Sequence, residues 1–310
     1  MAILTVRHLT VYRYSEPVEL GEHRMMFRPR ESHDLRLLHT NLMIDPVPID
    51  LRWLHDVFDN SVAVSKFEGE TTRLSFESVI TLEHFESVIP TYELEDYARS
   101  YPFRYSDDDF PSLSPGLRRR SSSQEVSDWA LQFLARADQT DTMTLLAAMT
   151  SAVRKQFEYK TRTEKGVQPP EETLRRKRGT CRDFAVLMIE AVRSLGLAAR
   201  FVSGYIFSPI EPDPDSATRG GGATHAWMQV YLPGAGWIDF DPTNNIVGNR
   251  NLIRVAFAWT PDQVLPLWGT YAGNPGAFQG MDVAVSVTRG DIDLSELDAV
   301  ACEAVGSKEA

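Results

Sequence analysis

The chain is short of cysteine, of long apolar runs and of positive charge. Its 310 residues include two cysteines, Cys181 and Cys302. Two thiols allow at most one bridge, and a reducing cytosolic setting favours two unrelated thiols. No second Cys or His lies near either one at ligand spacing, so no zinc site and no cofactor is expected. No His/Asp/Glu cluster points to metal-dependent hydrolysis. No segment approaches the roughly 20 apolar residues that a membrane helix needs. The first residues, MAILTVRHLTVYRY, lack the basic start and continuous apolar run of a signal peptide, so they read as a strand of a cytoplasmic protein. Lys and Arg number 32 against 43 Asp and Glu, a formal net charge of -11. That excess of acid disfavours nucleic acid and anionic membranes, because phosphate binding needs Lys and Arg. It leaves a protein or peptide substrate open. Histidine is also unevenly spread: of 7, only His225 lies beyond residue 84.

What is present is ordinary for a globular chain, with 43% hydrophobic and 24% charged residues. The length suits two domains, each able to bury a core. Residues 1–100 read as a β-rich domain of sandwich type. LTVRHLTVYRY, RLLHTNLMI, SVAVSKF and LSFESVITLEHF are rich in β-branched and aromatic residues, and Asp-Pro and Asp-Asn pairs separate them. Residues 101–123, with SDDDFPSLSPG and RRRSSS, read as a linker. Residues 124–290 form the second domain, and 291–310 a frayed tail that holds Cys302.

The second domain alternates helix and strand. Val126, Trp129, Ala130, Phe133 and Leu134 recur at helical spacing, as do Leu145, Leu146, Met149, Val153 and Phe157 behind an Asp141 N-cap. CRDFAVLMIEAVRSL is apolar almost all round, so it predicts a central buried helix ended by Gly196. RFVSGYIF, HAWMQVYL, WIDFD and, later, MDVAVSV predict strands. The Pro/Gly-rich loop between the first two is long enough to gate a cleft.

Three residues in this domain carry chemistry. Thr180 and Asp183 form a capping-box pattern that puts Cys181 in the first helical turn. The helix dipole there favours a thiolate over a thiol, and unpartnered N–H groups are available to a developing oxyanion. A thiol nucleophile needs a base or imidazolium partner, and His225 is the one histidine of the domain. Strand alternation sets His225, Trp227 and Gln229 on one face, away from Ala226, Met228 and Val230. Trp237, Asp239 and Asp241 share a face of the next strand. Hairpin direction then brings Asp241 nearer to His225 than Asp239. A carboxylate at that place fixes the imidazole tautomer and stabilises its cation.

GTCRDFAVLMIEAVRSLGLAARFVSGY followed by THAWMQVYLPGAGWIDFDPTNN resembles the core of the bacterial transglutaminase-like proteins. HLTVYRYSEPVELGEHRMMFRPR and DVFDNSV resemble their N-terminal domain. The resemblance implies an α+β fold of papain-like, transglutaminase-core type, with an antiparallel sheet and a central nucleophile helix behind a β-sandwich domain. It also implies a triad of Cys181 as nucleophile, His225 as general base and Asp241 as the acid that orients it. The implied reaction is amide acyl transfer or hydrolysis through a Cys181 thioester. An inactive scaffold that keeps the fold as a binding module is the alternative. Tyr159 is a candidate second oxyanion donor. Similar proteins often carry a Gly-Arg-Asp run after the core; Ala258-Trp259-Thr260-Pro261 stands there instead, which leaves substrate choice open. The acidic loop with Glu211, Asp213 and Asp215 suits a cationic amine acceptor.

Overall fold

The computed structural model describes residues 2–85, 92–135, 139–162, 166–208 and 218–290. Cys302 and the acidic positions Glu211, Asp213 and Asp215 lie outside the described residues. The front of the chain is five antiparallel strands: β1 (Ala2–Met25), β2 (Leu35–Asp45), β3 (Asp50–His55), β4 (Ser61–Lys66) and β5 (Glu70–His84). Next come β6 (Ser100–Tyr101), α1 (Phe110–Leu117), α2 (Gln124–Leu131), β7 (Thr140–Asp141), α3 (Thr142–Gln156), β8 (Glu158–Tyr159), α4 (Pro170–Arg176) and β9 (Arg178–Gly179). The rest is α5 (Cys181–Ser194), β10 (Ala199–Ile206), β11 (His225–Leu232), β12 (Gly236–Asp241), β13 (Ile246–Val247), β14 (Leu252–Ala258), β15 (Leu267–Ala272) and β16 (Phe278–Arg289).

The front sheet is ordered β2-β5-β1-β4-β3, with β15 and β16 added along β1. It forms a half-barrel in which the long β1 serves both halves. Residues 4–14 of β1 pair with β16, and residues 19–25 pair with β15. The strand read at MDVAVSV therefore sits in the front sheet, although the sequence groups it with residues 124–290. Pairing partners across more than 250 positions leave no local trace in a strand pattern. The presumed linker also holds structure: Pro111 at the start of α1 fits a first helical turn.

The second sheet runs β13-β12-β11-β10-β14 and is antiparallel throughout. Helix α5 packs on it with Phe184, Leu187, Met188 and Ile189 all buried. Each such side chain contributes roughly 1.5–3 kcal/mol through the area it removes from water. Gly196, at φ +79°, stops the helix in the left-handed region where glycine meets no Cβ penalty. Two polar side chains interrupt the apolar surface. Glu190 and Arg193 pair at 3.0 Å inside the protein. Glu190 also accepts from the N–H groups of Arg120 and Ser121, and Arg193 donates to Gly116 O. The segment between the two regions is thus fastened to the central helix.

One apolar cluster joins both regions, since Leu4, Val6, Ile80 and Leu82 of the front sheet pack with Phe184, Met188 and Tyr205. Polar contacts reinforce it. His8 Nδ1 lies 2.9 Å from Tyr205 Oη, Asn60 exchanges two hydrogen bonds with the backbone of Phe257, and Arg254 pairs with Asp34.

Candidate active site

The site forms where the N-terminus of α5 meets the start of β11. Thr180 is the N-cap: its Oγ1 accepts from Asp183 N, and Asp183 accepts from Thr180 N at 2.8 Å. Asp183 is fully buried and does more than cap. Its carboxylate receives Arg162 Nε at 2.8 Å and Nη2 at 3.0 Å, and Gln168 N at 2.7 Å. It thereby ties the strand before the helix, Arg162 and Gln168 to the helix tip. Gly179 makes the close approach possible, because a Cβ there would lie 2.9 Å from Asp183 Cβ. Breaking a buried ion pair leaves its other half unsatisfied, which costs about 3–5 kcal/mol. Asp183→Ala is therefore expected to lower the unfolding free energy by about that amount in guanidinium titrations. A loss under about 1 kcal/mol would mean that solvent replaces the carboxylate.

Cys181 is the first residue of α5, a free thiol with 6% of its surface exposed. His225 is 1% exposed and Asp241 is fully buried. His225 Nε2 donates to Asp241 Oδ2 at 2.8 Å. The other Asp241 oxygen accepts Thr243 N at 2.8 Å, and Oδ2 also accepts Asn244 Nδ2 at 2.8 Å. Because Nε2 is engaged, Nδ1 is the ring atom left to the thiol. That nitrogen is buried with no hydrogen-bond partner among the described residues, and the nearby Cys181 favours the charged form of the ring. Burial alone would lower the His225 pKa; the Asp241 carboxylate outweighs it, with help from Cys181, and raises it from 6.5 to about 10. Burial likewise opposes charge on Asp241, but the His225 cation and the hydrogen bonds from His225, Asn244 and Thr243 N hold it below the ordinary carboxylate range.

The second carboxylate of the hairpin has a different fate. Register sets Asp239 opposite Gln229, four residues along β11 from His225. Asp239 accepts from Trp227 Nε1 at 2.7 Å and from Gln229 Nε2 at 2.8 Å, and Arg254 Nη1 lies 3.3 Å away. Burial pushes its pKa up despite those donors. The structure thus brings Cys181, His225 and Asp241 together and sends Asp239 to a neighbouring network.

Three further groups border the site. Tyr159 stands in β8, which pairs in parallel with β9 so that Tyr159 faces Gly179, two residues before the thiol. Burial first, then the Cys181, Asp241 and Asp183 charges, raises the Tyr159 pKa to about 12, so it is a neutral O–H donor at physiological pH. Gly220 has φ +80°, and a Cβ on it would lie 3.0 Å from His225 Nδ1 and 3.3 Å from Tyr159 Oη. Both atoms therefore border one small space that a side chain at residue 220 would fill. Asn244 binds the Asp241 carboxylate and receives Arg219 N at 2.7 Å, so it fixes the turn that carries Gly220. Neither Gly220 nor Asn244 is predicted from the sequence; the only trace is the polar run after Asp241-Pro242. Among the described residues no group of three or more His, Cys, Asp or Glu could hold a metal ion.

Residues 130–242 match the transglutaminase-like superfamily, and residues 4–83 match the bacterial transglutaminase-like N-terminal region. An uncharacterized protein of Mycobacterium tuberculosis is 27% identical over 300 residues, spanning 92% of this chain and 93% of its own length. A protein-glutamine gamma-glutamyltransferase of Pseudomonas aeruginosa is 31% identical over 72 residues, 23% of this chain and 11% of its own. The solved structure of a candidate cysteine protease from Cytophaga hutchinsonii superposes with a TM-score of 0.68 at 21% identity, covering 95% of this chain and 93% of that one. That likeness is one of fold.

Proposed function

Since this chain is a bacterial transglutaminase-like protein, with a transglutaminase-like core behind its N-terminal region, we propose that it transfers the acyl group of a protein or peptide amide through a thioester on Cys181. The observation that carries this reading is the 2.8 Å contact from His225 Nε2 to Asp241, which leaves the buried Nδ1 to the thiol at the tip of α5.

The thiolate adds to the amide carbon, and the carbonyl π electrons move to oxygen. The oxyanion is stabilised by first-turn N–H groups of α5 and by the Tyr159 hydroxyl. As the C–N bond breaks, the imidazolium gives its Nδ1 proton to the departing nitrogen, and the product is ammonia or an amine. Neutral His225 then takes a proton from the second nucleophile, which attacks the thioester and releases Cys181. Water as that nucleophile makes the protein a peptidase or amidase; an amine makes it an acyltransferase. Asp241 holds the ring orientation and offsets the charge in both steps.

The reading is tested on the intermediate itself. Purified protein is mixed with an activated acyl donor, acid-quenched and weighed intact. One acyl mass should appear on the peptide that holds Cys181 and be released by hydroxylamine. An adduct elsewhere, or none, would sink the thioester. Adding a dansyl amine to the same mixture, beside a peptide hydrolysis assay, separates the two acceptors. Removing one oxyanion donor usually costs about 10²–10³ in kcat, and a side chain that shares the task with backbone N–H groups sits at or below the lower bound. Tyr159→Phe is therefore expected to lower kcat by about 10²-fold with little change in KM. A KM effect alone would assign Tyr159 to binding.

A further inference from the structure

We propose that the acyl donor is an acidic polypeptide, and that a basic cleft beside Cys181 receives a carboxylate side chain one or two residues from the acylated position. This rests on Cys181 being the acyl-accepting thiol. The cleft is a cavity of about 230 Å³ whose wall includes Lys160, Arg162, Arg176, Arg178 and Gly179. A water occupies roughly 30 Å³ of liquid, so the space holds one acidic side chain with a few waters.

The charge there runs against the rest of the molecule. The chain has 32 Lys and Arg against 43 Asp and Glu, yet positions 154–182 hold ten Lys and Arg against four Glu. Two of the four cations in the wall are spoken for: Arg162 pairs with Asp183, and Arg176 pairs with Glu172. Lys160 and Arg178 are exposed and have no carboxylate partner among the described residues. Glu158, the nearest acid on the same strands, is opposite Arg178 in register but forms no ion pair with it among the described residues. Two cations without a carboxylate partner among the described residues therefore edge the cavity.

Their positions are fixed by backbone. Glu158 N donates to Lys177 O at 2.8 Å and Lys160 N to Gly179 O at 2.9 Å, which locks β8 to β9. Gln168 Nε2 donates to Arg178 O at 3.2 Å from the other side. Gly179 is two residues from Cys181, so the cavity wall reaches within about 7 Å of the nucleophile's Cα. An extended peptide advances about 3.3 Å per residue. A carboxylate in the cleft consequently belongs to the first or second residue from the one acylated. The same cations draw acidic chains toward the thiol against the repulsion of an acidic protein, an attraction that salt weakens.

The test separates binding from turnover. Cys181→Ala protein is titrated against rhodamine-labelled heptapeptides with a central Gln flanked by Glu, Gln or Lys, and anisotropy is read at low and moderate salt. The Glu peptide should bind about ten-fold more tightly than the Gln peptide, with salt removing most of that gain. Adding Lys160→Glu and Arg178→Glu should abolish the preference and shift it toward the Lys peptide. If charge reversal disturbs folding by circular dichroism, Lys160→Gln with Arg178→Gln replaces it and should bring the Glu and Gln peptides level. Equal binding of all three peptides by the unaltered surface overturns the proposal. So does wild-type turnover of amides with no gain from Glu. Tight, salt-sensitive binding of the Glu peptide by a protein that forms no thioester upholds the cleft and removes the reaction.

Discussion

Cys181→Ala is expected to reduce amide turnover by about 10⁵-fold or more, to the level of the uncatalysed assay, and His225→Ala to fall nearly as far. The double variant should fall no further. Non-additivity of this kind follows when two groups act as one unit: without the imidazole there is no group to protonate the leaving nitrogen, and an imidazolium without the thiol has nothing to attack with. The influence of Cys181 on the His225 charge and the absence of any hydrogen-bond partner on Nδ1 among the described residues make that dependence specific to this pair. Iodoacetamide gives the same comparison without a substrate. It should label wild-type Cys181 at pH 6 faster than it labels glutathione, and His225→Ala should remove the advantage. A scaffold that only binds would show slow labelling insensitive to residue 225. Retention of more than about 1% of turnover in Cys181→Ala would assign the chemistry to another residue.

The features that sequence carries well here are local ones. Thr180 with Asp183 marks the start of α5, and Gly196 marks its end, because caps depend on residues within one helical turn. Alternation along β11 and β12 puts His225 and both aspartates on related faces, and hairpin direction favours Asp241, whose Oδ2 lies 2.8 Å from His225 Nε2. What escapes is set by distant partners. Glu190 and Arg193 look like the solvent side of a helix, yet they are buried because Gly116, Arg120 and Ser121 come from another part of the chain. β16 reads as a strand without revealing that β1 is its neighbour. Gly220 and Asn244 act through a positive φ and a loop hydrogen bond, neither of which has a periodicity to read. The α1 helix is hidden by its two prolines and by the polar residues around it.

Asp241→Asn should keep the fold and the hydrogen-bonding shape of the site while lowering kcat/KM by about 10⁴-fold at neutral pH. The carboxylate is what outweighs burial at His225 and raises it from 6.5 to about 10. Without that charge, burial dominates and the imidazole loses its proton at lower pH. An alkaline fall of activity is expected near pH 10 in the wild type and should move to the acid side in the variant. Stability follows the same linkage. His225 titrates higher in the folded protein than in the unfolded chain, so its contribution is complete below about 6.5 and is lost as pH rises through about 10. Asp241 titrates lower when folded, so its contribution is complete above its ordinary 3.8 and is lost as pH falls below it. Both are complete only between these ordinary values. The stability gap between wild type and Asp241→Asn should thus be widest near pH 5 and narrow steadily toward pH 10, measured as guanidinium midpoints across that range. A gap that stays constant to pH 10 would mean that His225 is neutral in the folded wild type. The proton for the leaving nitrogen would then have to come from the thiol itself, relayed through the ring, and not from a standing imidazolium.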